Sequence, residues 1–438
     1  MKRRIFVVVL GVWGSLTLVS CGGSSKTDPP SGLPYRVLAS QGVTSAVTSG
    51  SLVILDAYND TIPRLAPLSA GTSPGLMVVT PTLNLAAAFD AGSNSVYAVD
   101  TVKESSIGHI QLQGPTNSMV VPTAQGIGYA AVPTATVPGF SFIGAIDVMN
   151  FSSGGLTTIA VPNAQTVISD STGTQLVVLS NDSNSVTVLT PGNAVPPVDT
   201  SCLSTNLPSS VCTIVPGFDR PVFGVVSGST AYIMNCGPQC GGVQASVAVF
   251  DLPSLKITST IPVDAATMAL LSGSTLYVAG TSPSNNTCTG QLSNTGQQTA
   301  ATICGRLDIV NLGSGTVTGS AIITDGFHDR MDLTTNGQLF IGSYDCTNIG
   351  NVNNPSGEVR GCLSIFHTAD NSVLIPPDNG DVNGLQGFNS RTVEYVAEGG
   401  NLRVYDTTKD ILLINDFLQQ GTINIIGYVG DVKAIDFF

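Results

Sequence analysis

From Tyr35 onward, short apolar runs alternate with polar positions, and many end in Asp or a similar residue followed by a turn. The clearest are Leu52-Val53-Ile54-Leu55-Asp56, Val96-Tyr97-Ala98-Val99-Asp100, Val247-Ala248-Val249-Phe250-Asp251 and Leu402-Arg403-Val404-Tyr405-Asp406. Ile143 to Val148, Val186 to Thr190, Leu307 to Asn311 and Leu363 to Thr368 are looser copies, which makes eight. We term this element strand C. Another run, strand B, precedes it: Leu85 to Asp90, Ile127 to Val132, Gln175 to Ser180, Ala231 to Asn235, Leu276 to Gly280, Leu339 to Tyr344 and Val393 to Ala397. Strand D follows C, as in Lys256 to Val263, and strand A opens the next unit, as in Thr166 to Ser169, Val222 to Val226 and Thr267 to Leu271.

Repeating units of about 40 to 60 residues with four strands each predict an all-β fold, a single closed β-propeller over residues 35–438. Counting gives eight blades; seven is the alternative, and a run of separate β-sandwiches is the competing architecture. The first unit starts at strand B, Tyr35 to Ser40, and the chain finishes with a lone strand A, Asp431 to Phe438. Joining the two closes the ring and removes an exposed sheet edge. Leu276-Tyr277-Val278-Ala279 and Ile261-Pro262-Val263 resemble the YVTN-type propeller repeat of lactonase-like and YncE-like proteins. Those propellers are usually seven-bladed, which is why seven stays open. The resemblance also implies an alternative activity, lactone hydrolysis from the channel mouth.

Composition agrees with short strands and turns. The 438 residues include 48 Gly and 25 Pro, and only 10% are charged, while mean hydropathy is +0.30. A disordered acidic chain would be charge-rich and apolar-poor, and a helical bundle would need far more Lys and Glu. The first 20 residues read as an address. Lys2, Arg3 and Arg4 precede the apolar stretch Ile5 to Leu18, which is shorter than the roughly 20 residues that span a bilayer core. Leu18-Val19-Ser20-Cys21 resembles a bacterial lipobox. That resemblance implies cleavage after residue 20, a lipid on Cys21, a flexible tether over 21–34 and a place in the cell envelope, the outer membrane favoured because Gly22 replaces a retention Asp. Cleavage would remove three bases and no acid, moving the net charge from −13 to −16. Such a chain is expected to avoid nucleic acid and to meet the membrane through its anchor only. A monomer is expected.

Eight cysteines remain beside Cys21, an even number in an oxidising compartment. They fall in close pairs, Cys202/Cys212, Cys236/Cys240, Cys288/Cys304 and Cys346/Cys362, each flanking one loop. Local disulfides are expected; half a zinc site at Cys236 and Cys240 is the alternative.

Chemistry is harder to read. Trp13 is the only tryptophan and leaves with the leader, so neither tryptophan docking motifs nor WD40 repeats exist. There is no Cys-x-x-Cys-His, nucleophile elbow, P-loop or Asp-rich calcium loop. No cofactor and no metal is expected. Asp378-Asn379-Gly380-Asp381 reads as an Asx turn rather than a cation loop. In a propeller the B–C and D–A loops share one face, and strand A lines the channel. Asp219 and Arg220, the stretch Asp325 to Arg330, and Asp431 with Lys433 are then expected to ring the channel mouth. Asp219, Arg220, His328, Asp329, Arg330 and Lys433 are the ligand-binding candidates, against the alternative of a self-paired salt-bridge ring. If the protein is an enzyme, His328 and Asp329 are the candidate acid/base pair. A binding or scaffolding module in the envelope is the leading reading, with an envelope protein, a glycan or a small polar ligand as partner.

Overall fold

The computed structural model describes residues 29–43, 49–124, 126–191, 212–281, 305–346, 349–350, 359–376, 380–388, 390–413, 422–425 and 427–436. Within them the chain forms eight antiparallel sheets arranged as the blades of a closed propeller. Among the described residues there is no α-helix; a short 3-10 turn spans Gly237–Cys240, and no helix is long and apolar enough to cross a membrane. Eight blades, not seven, complete the ring.

Blade 1 is built from both ends of the chain. Tyr428–Ala434 is its strand A and pairs antiparallel with Arg36–Gly42, which pairs in turn with Ser51–Asp56. The closing strand therefore starts three residues earlier than the sequence pattern suggests and ends at Ala434. Strand A is Pro74–Val79, Ser118–Val120, Thr166–Ser169, Pro221–Ser227, Met268–Ser272, Phe327–Leu333 and Val382–Phe388 in blades 2 to 8. The inner strands touch around the whole ring.

The core is distributed rather than central. Each of the eight interfaces between neighbouring blades holds its own apolar cluster. Leu38, Leu52, Ile54, Met77 and Ala88 fill the space between blades 1 and 2; Tyr395, Leu402, Val404 and Val37 fill that between blades 8 and 1. Both faces of every sheet are thus covered, so central strands read as nearly continuous apolar runs. Leu85–Asp90 (LAAAFD) is buried along its whole length, its alanines letting neighbouring sheets approach closely.

Two local devices recur. The polar residue that ends strand C accepts backbone N–H groups of the following turn. Asp100 accepts from Lys103 N at 2.8 Å, Asp251 from Ser254 N at 2.9 Å, Asn311 from Ser314 N at 3.0 Å and Asp406 from Thr408 N at 2.8 Å. This Asx turn is the physical basis of the repeating strand–Asp signature. The second device joins blades. Neighbouring strands A splay around the channel, and side chains satisfy backbone groups across the gap. The buried Asp431 carboxylate accepts Met77 N–H at 2.8 Å, Asp332 accepts Gly387 N–H at 2.6 Å, and Gln386 accepts Ala434 N–H at 2.9 Å.

Of the four expected disulfides, two lie wholly within the described residues and are formed, Cys236–Cys240 and Cys346–Cys362; the first excludes the zinc alternative. Cys212 is also disulfide-bonded, while Cys202, the partner the sequence assigns to it, lies outside the described residues. The placement of Cys212 agrees with a cysteine that flanks a loop. It opens strand D of blade 4, Cys212–Pro216, where it pairs with Leu189 of strand C and packs against the cluster between blades 3 and 4. Its bridge is thus anchored on the outer edge of a sheet. Cys288 and Cys304 lie outside the described residues, as do the leader, Cys21, Asp378 and Asn379.

Candidate functional site

Five strands A carry a bulge where they enter the channel from the face of the B–C and D–A loops. The register shifts at Gly430/Asp431, at Gly75/Leu76, at Val222, at Asp329 and at Asn383. An extra residue breaks the alternation of side-chain directions and re-aims side chains. In blade 7 this has a chemical consequence. Adjacent residues of a regular strand face opposite sides, yet Asp329 and Arg330 pair with each other, Nη1 to Oδ2 at 2.9 Å. Arg330 Nε also donates to Asn383 O of blade 8 at 2.8 Å.

Above these bulges lies an open cavity of about 700 Å³ that takes lining residues from all eight blades. That is within the size range of small-molecule sites. Phe223, Phe327, Tyr344 and Tyr428 give it aromatic surface; Asn117, Asn181 and Asn383 give it amides; Asp329 and Arg330 supply its charge. Phe327 and Tyr344 pack with ring centroids 5.3 Å apart, and Asn383 Nδ2 donates to the Tyr428 hydroxyl at 3.0 Å. Burial pushes the Asp329 carboxyl up to about 6; Arg330 opposes this, and the Asp431 and Asp381 carboxylates add to it. A second cavity of about 350 Å³ continues down the channel between Leu76, Asn117, Thr166, Phe223 and Arg330.

The structure separates the six residues expected to act together. Asp329 and Arg330 line the mouth cavity; Asp219, Arg220, His328 and Lys433 do not. Asp219 and Arg220 organise the neighbouring B–C loop. Asp219 accepts the N–H groups of Val243 and Gln244 at 2.8 and 2.7 Å. Arg220, at φ 59, turns the chain so that its carbonyl receives Cys236 N at 2.9 Å. This turn holds the Cys236–Cys240 loop, whose Gln239 reaches over to Thr281 N and Gly326 O. His328 is fully buried within strand A, its Nε2 on Thr324 O at 3.0 Å. Desolvation lowers its pKa to about 4, so it stays neutral and out of contact with the channel, and its assignment as an acid/base falls. Lys433 lies beyond the bulge on its strand, on Asp431 Oδ1 at 3.1 Å and beside the buried Glu394. The ring of three equivalent bases therefore does not form.

Charge pairs that the sequence reading passed over sit on the opposite face. Arg36 binds Asp436 through Nε at 2.9 Å and Nη2 at 2.7 Å, and Glu104 through Nη1 at 2.8 Å. Arg391 grips both oxygens of Asp60, which Tyr395 also reaches. These bidentate clamps tie blade 1 to blade 2 and to blade 8. Position was the available signal: Arg36 opens the first strand and Asp436 follows the last.

Among the described residues no group of three or more His, Cys, Asp or Glu is placed to hold a metal ion. No family model matches the chain, and no curated protein matches it. Solved structures do match. Dihydro-heme d1 dehydrogenase NirN in complex with DHE aligns over 93% of this chain and 79% of its own, at 11% identity and TM-score 0.59. A eukaryotic initiation factor aligns over 92% and 98%, at 13% identity and TM-score 0.51. At such identities the likeness is one of fold: the chain is similar to these proteins as a β-propeller.

Proposed function

We propose that the protein is a lipid-anchored, extracytoplasmic β-propeller of the bacterial envelope that binds a small polar ligand at its channel mouth. The observation that carries this reading is the mouth cavity, which every blade helps to line and which mixes aromatic rings with amides and one ion pair. Disulfides in the described residues agree with a non-cytoplasmic site of action. A likeness of sequence to YVTN-type repeats and to the lipobox supports the finer assignment.

Geometry adds an orientation. The segment before Arg36 approaches from the face opposite the mouth, where Ser31 donates through N and Oγ to Glu104 at 2.7 and 2.6 Å. With a lipid on Cys21, this face would lie toward the membrane and the mouth would open away from it.

The test is a metabolite screen by thermal shift on the full chain, repeated with Tyr344→Ala and Asn181→Ala. A hit whose shift both variants abolish supports the mouth as the site; hits unaffected by either variant refute it. A hydrolase is the second reading, favoured by one observation, the Asp329 carboxyl held at about 6, in the range of a general acid or base.

A further inference from the structure

The lining groups of the mouth sort into those already engaged and those left free. Ser118 Oγ bonds Val167 N at 3.0 Å, Thr267 Oγ1 bonds His328 O at 2.9 Å, and Gln165 bonds Asn181 N and Asp182. By contrast, the side-chain amides of Asn117 and Asn181 and the Tyr344 hydroxyl show no hydrogen bond among the described residues, although they line the cavity. Asn383 uses its NH2 on Tyr428 and leaves its carbonyl oxygen open. Asp329 uses Oδ2 on Arg330, while its Oδ1 is buried without a partner.

The free groups are donors and acceptors in mixture, spread over blades 3, 4, 7 and 8. Most are neutral, and the one full charge of each sign in the lining is cancelled by the other at 2.9 Å. An anion would face Asp329, whose own carboxyl is already raised in part by Asp381 and Asp431. A cation would meet the Arg330 guanidinium, which Asp329 and Asn383 O hold in the lining. What suits the site is a neutral molecule with many hydroxyls and at least one flat apolar face, since aromatic rings accept such a face and amides bridge hydroxyls. Tyr428, 48% exposed, and Tyr344, 36% exposed, stand at the rim where such a face can stack.

We infer that the mouth is a saccharide-binding site for neutral oligosaccharides, with Tyr344 and Tyr428 as stacking platforms and Asn117, Asn181 and Asn383 reading hydroxyls. This rests on the mouth being the working site, and names the chemical class it takes. The size of the cavity fits a short oligosaccharide better than a single sugar ring.

Titration calorimetry on the full chain in detergent separates the two ideas. The probes are cellotetraose, maltotetraose and N-acetylglucosamine tetramer as neutral ligands, tetragalacturonate as an anion and spermidine as a cation. Binding of at least one neutral tetramer is expected, weakened about tenfold by Tyr428→Ala and by Asn181→Ala alike. Asn181→Ala guards against the chance that Tyr428→Ala disturbs the closing strand, and circular dichroism checks that both variants fold. If only tetragalacturonate or spermidine binds, with loss in the same variants, the saccharide assignment is overturned while the mouth remains the site. If a neutral tetramer binds with unchanged affinity in both folded variants, the mouth reading falls as well. No binding by any of the three neutral tetramers also overturns the saccharide assignment.

Discussion

At the scale of single residues, carboxylates inside apolar strands do work that the exposed charges do not. Asp308 of blade 6 is 2% exposed and accepts Asp264 N–H at 2.6 Å, anchoring the linker from strand D to strand A. Asp147 of blade 3 holds Gln113 N at 2.8 Å in the same way. Burial pushes the Asp308 carboxyl up to about 6. Its folded pKa is above its unfolded value, so its stabilisation is complete below about pH 4 and is lost as pH rises through about 6. Asp308→Asn keeps an acceptor and removes that titration. The difference in unfolding free energy between wild type and variant is expected to move by about 2 kcal/mol in the variant's favour between pH 4 and pH 7. Urea titrations at the two pH values read it, and a pH-independent difference would refute the role. The signal for these residues was present in Ala-Ile-Asp147-Val-Met and Leu-Asp308-Ile-Val, a carboxylate inside an apolar run. Sequence alone does not say which backbone N–H it meets, because the partner lies 44 residues away for Asp308 and 34 for Asp147.

At the scale of elements, the ring is closed by one strand and secured by two buried clamps. Removing residues 428–438 would leave the Arg36–Gly42 edge unpaired and strip Val429 and Val432 from the core between blades 8 and 1. Loss of a cooperative melt and aggregation through the open edge are expected; soluble truncated protein that melts in one step would refute closure. Arg36→Ala leaves Glu104 and Asp436 buried at 6% and 13% side-chain exposure. The expected loss is about 3–5 kcal/mol. Lys103→Ala, at a lysine 76% exposed and paired to Asp100, is the control and should leave the melting temperature close to that of the wild type. Equal melting temperatures for the two variants would show that the clamp contributes nothing. Strand order, blade number and closure were all legible, because the strands read as separate short apolar runs and the Asx turn marks the end of most strands C. The bulges were not. One extra residue in Phe327–Leu333 leaves the apolar pattern nearly unchanged, yet it decides that Asp329 and Arg330 enter the cavity and His328 does not. Lys433 was misplaced for a related reason: with the closing strand read from Asp431, it fell near the strand's mouth end, whereas the strand starts at Tyr428.

At the scale of the whole molecule, the two faces of the ring carry different features. One gathers the bulges, the disulfide loops of blades 5 and 7, and the cavity. The other gathers the Arg36 and Arg391 clamps and the N-terminal segment. Only seven residues separate Cys21 from the first described residue, a reach of at most roughly 30 Å when extended. A lipid on Cys21 would therefore hold the clamp face near the bilayer and leave the mouth open to solutes rather than to headgroups. Val243, 86% exposed in the B–C loop of blade 5, and Lys103, in the C–D turn of blade 2 beside Glu104, mark the two faces. Val243→Cys and Lys103→Cys proteins, each carrying one fluorophore, can be bound to vesicles containing a headgroup quencher. Strong quenching at position 103 and weak quenching at 243 is the expected pattern, and in the Cys21→Ser background both signals should match those of free protein. Stronger quenching at 243 would mean that the mouth faces the membrane, and its natural ligand would then have to be sought among lipid headgroups.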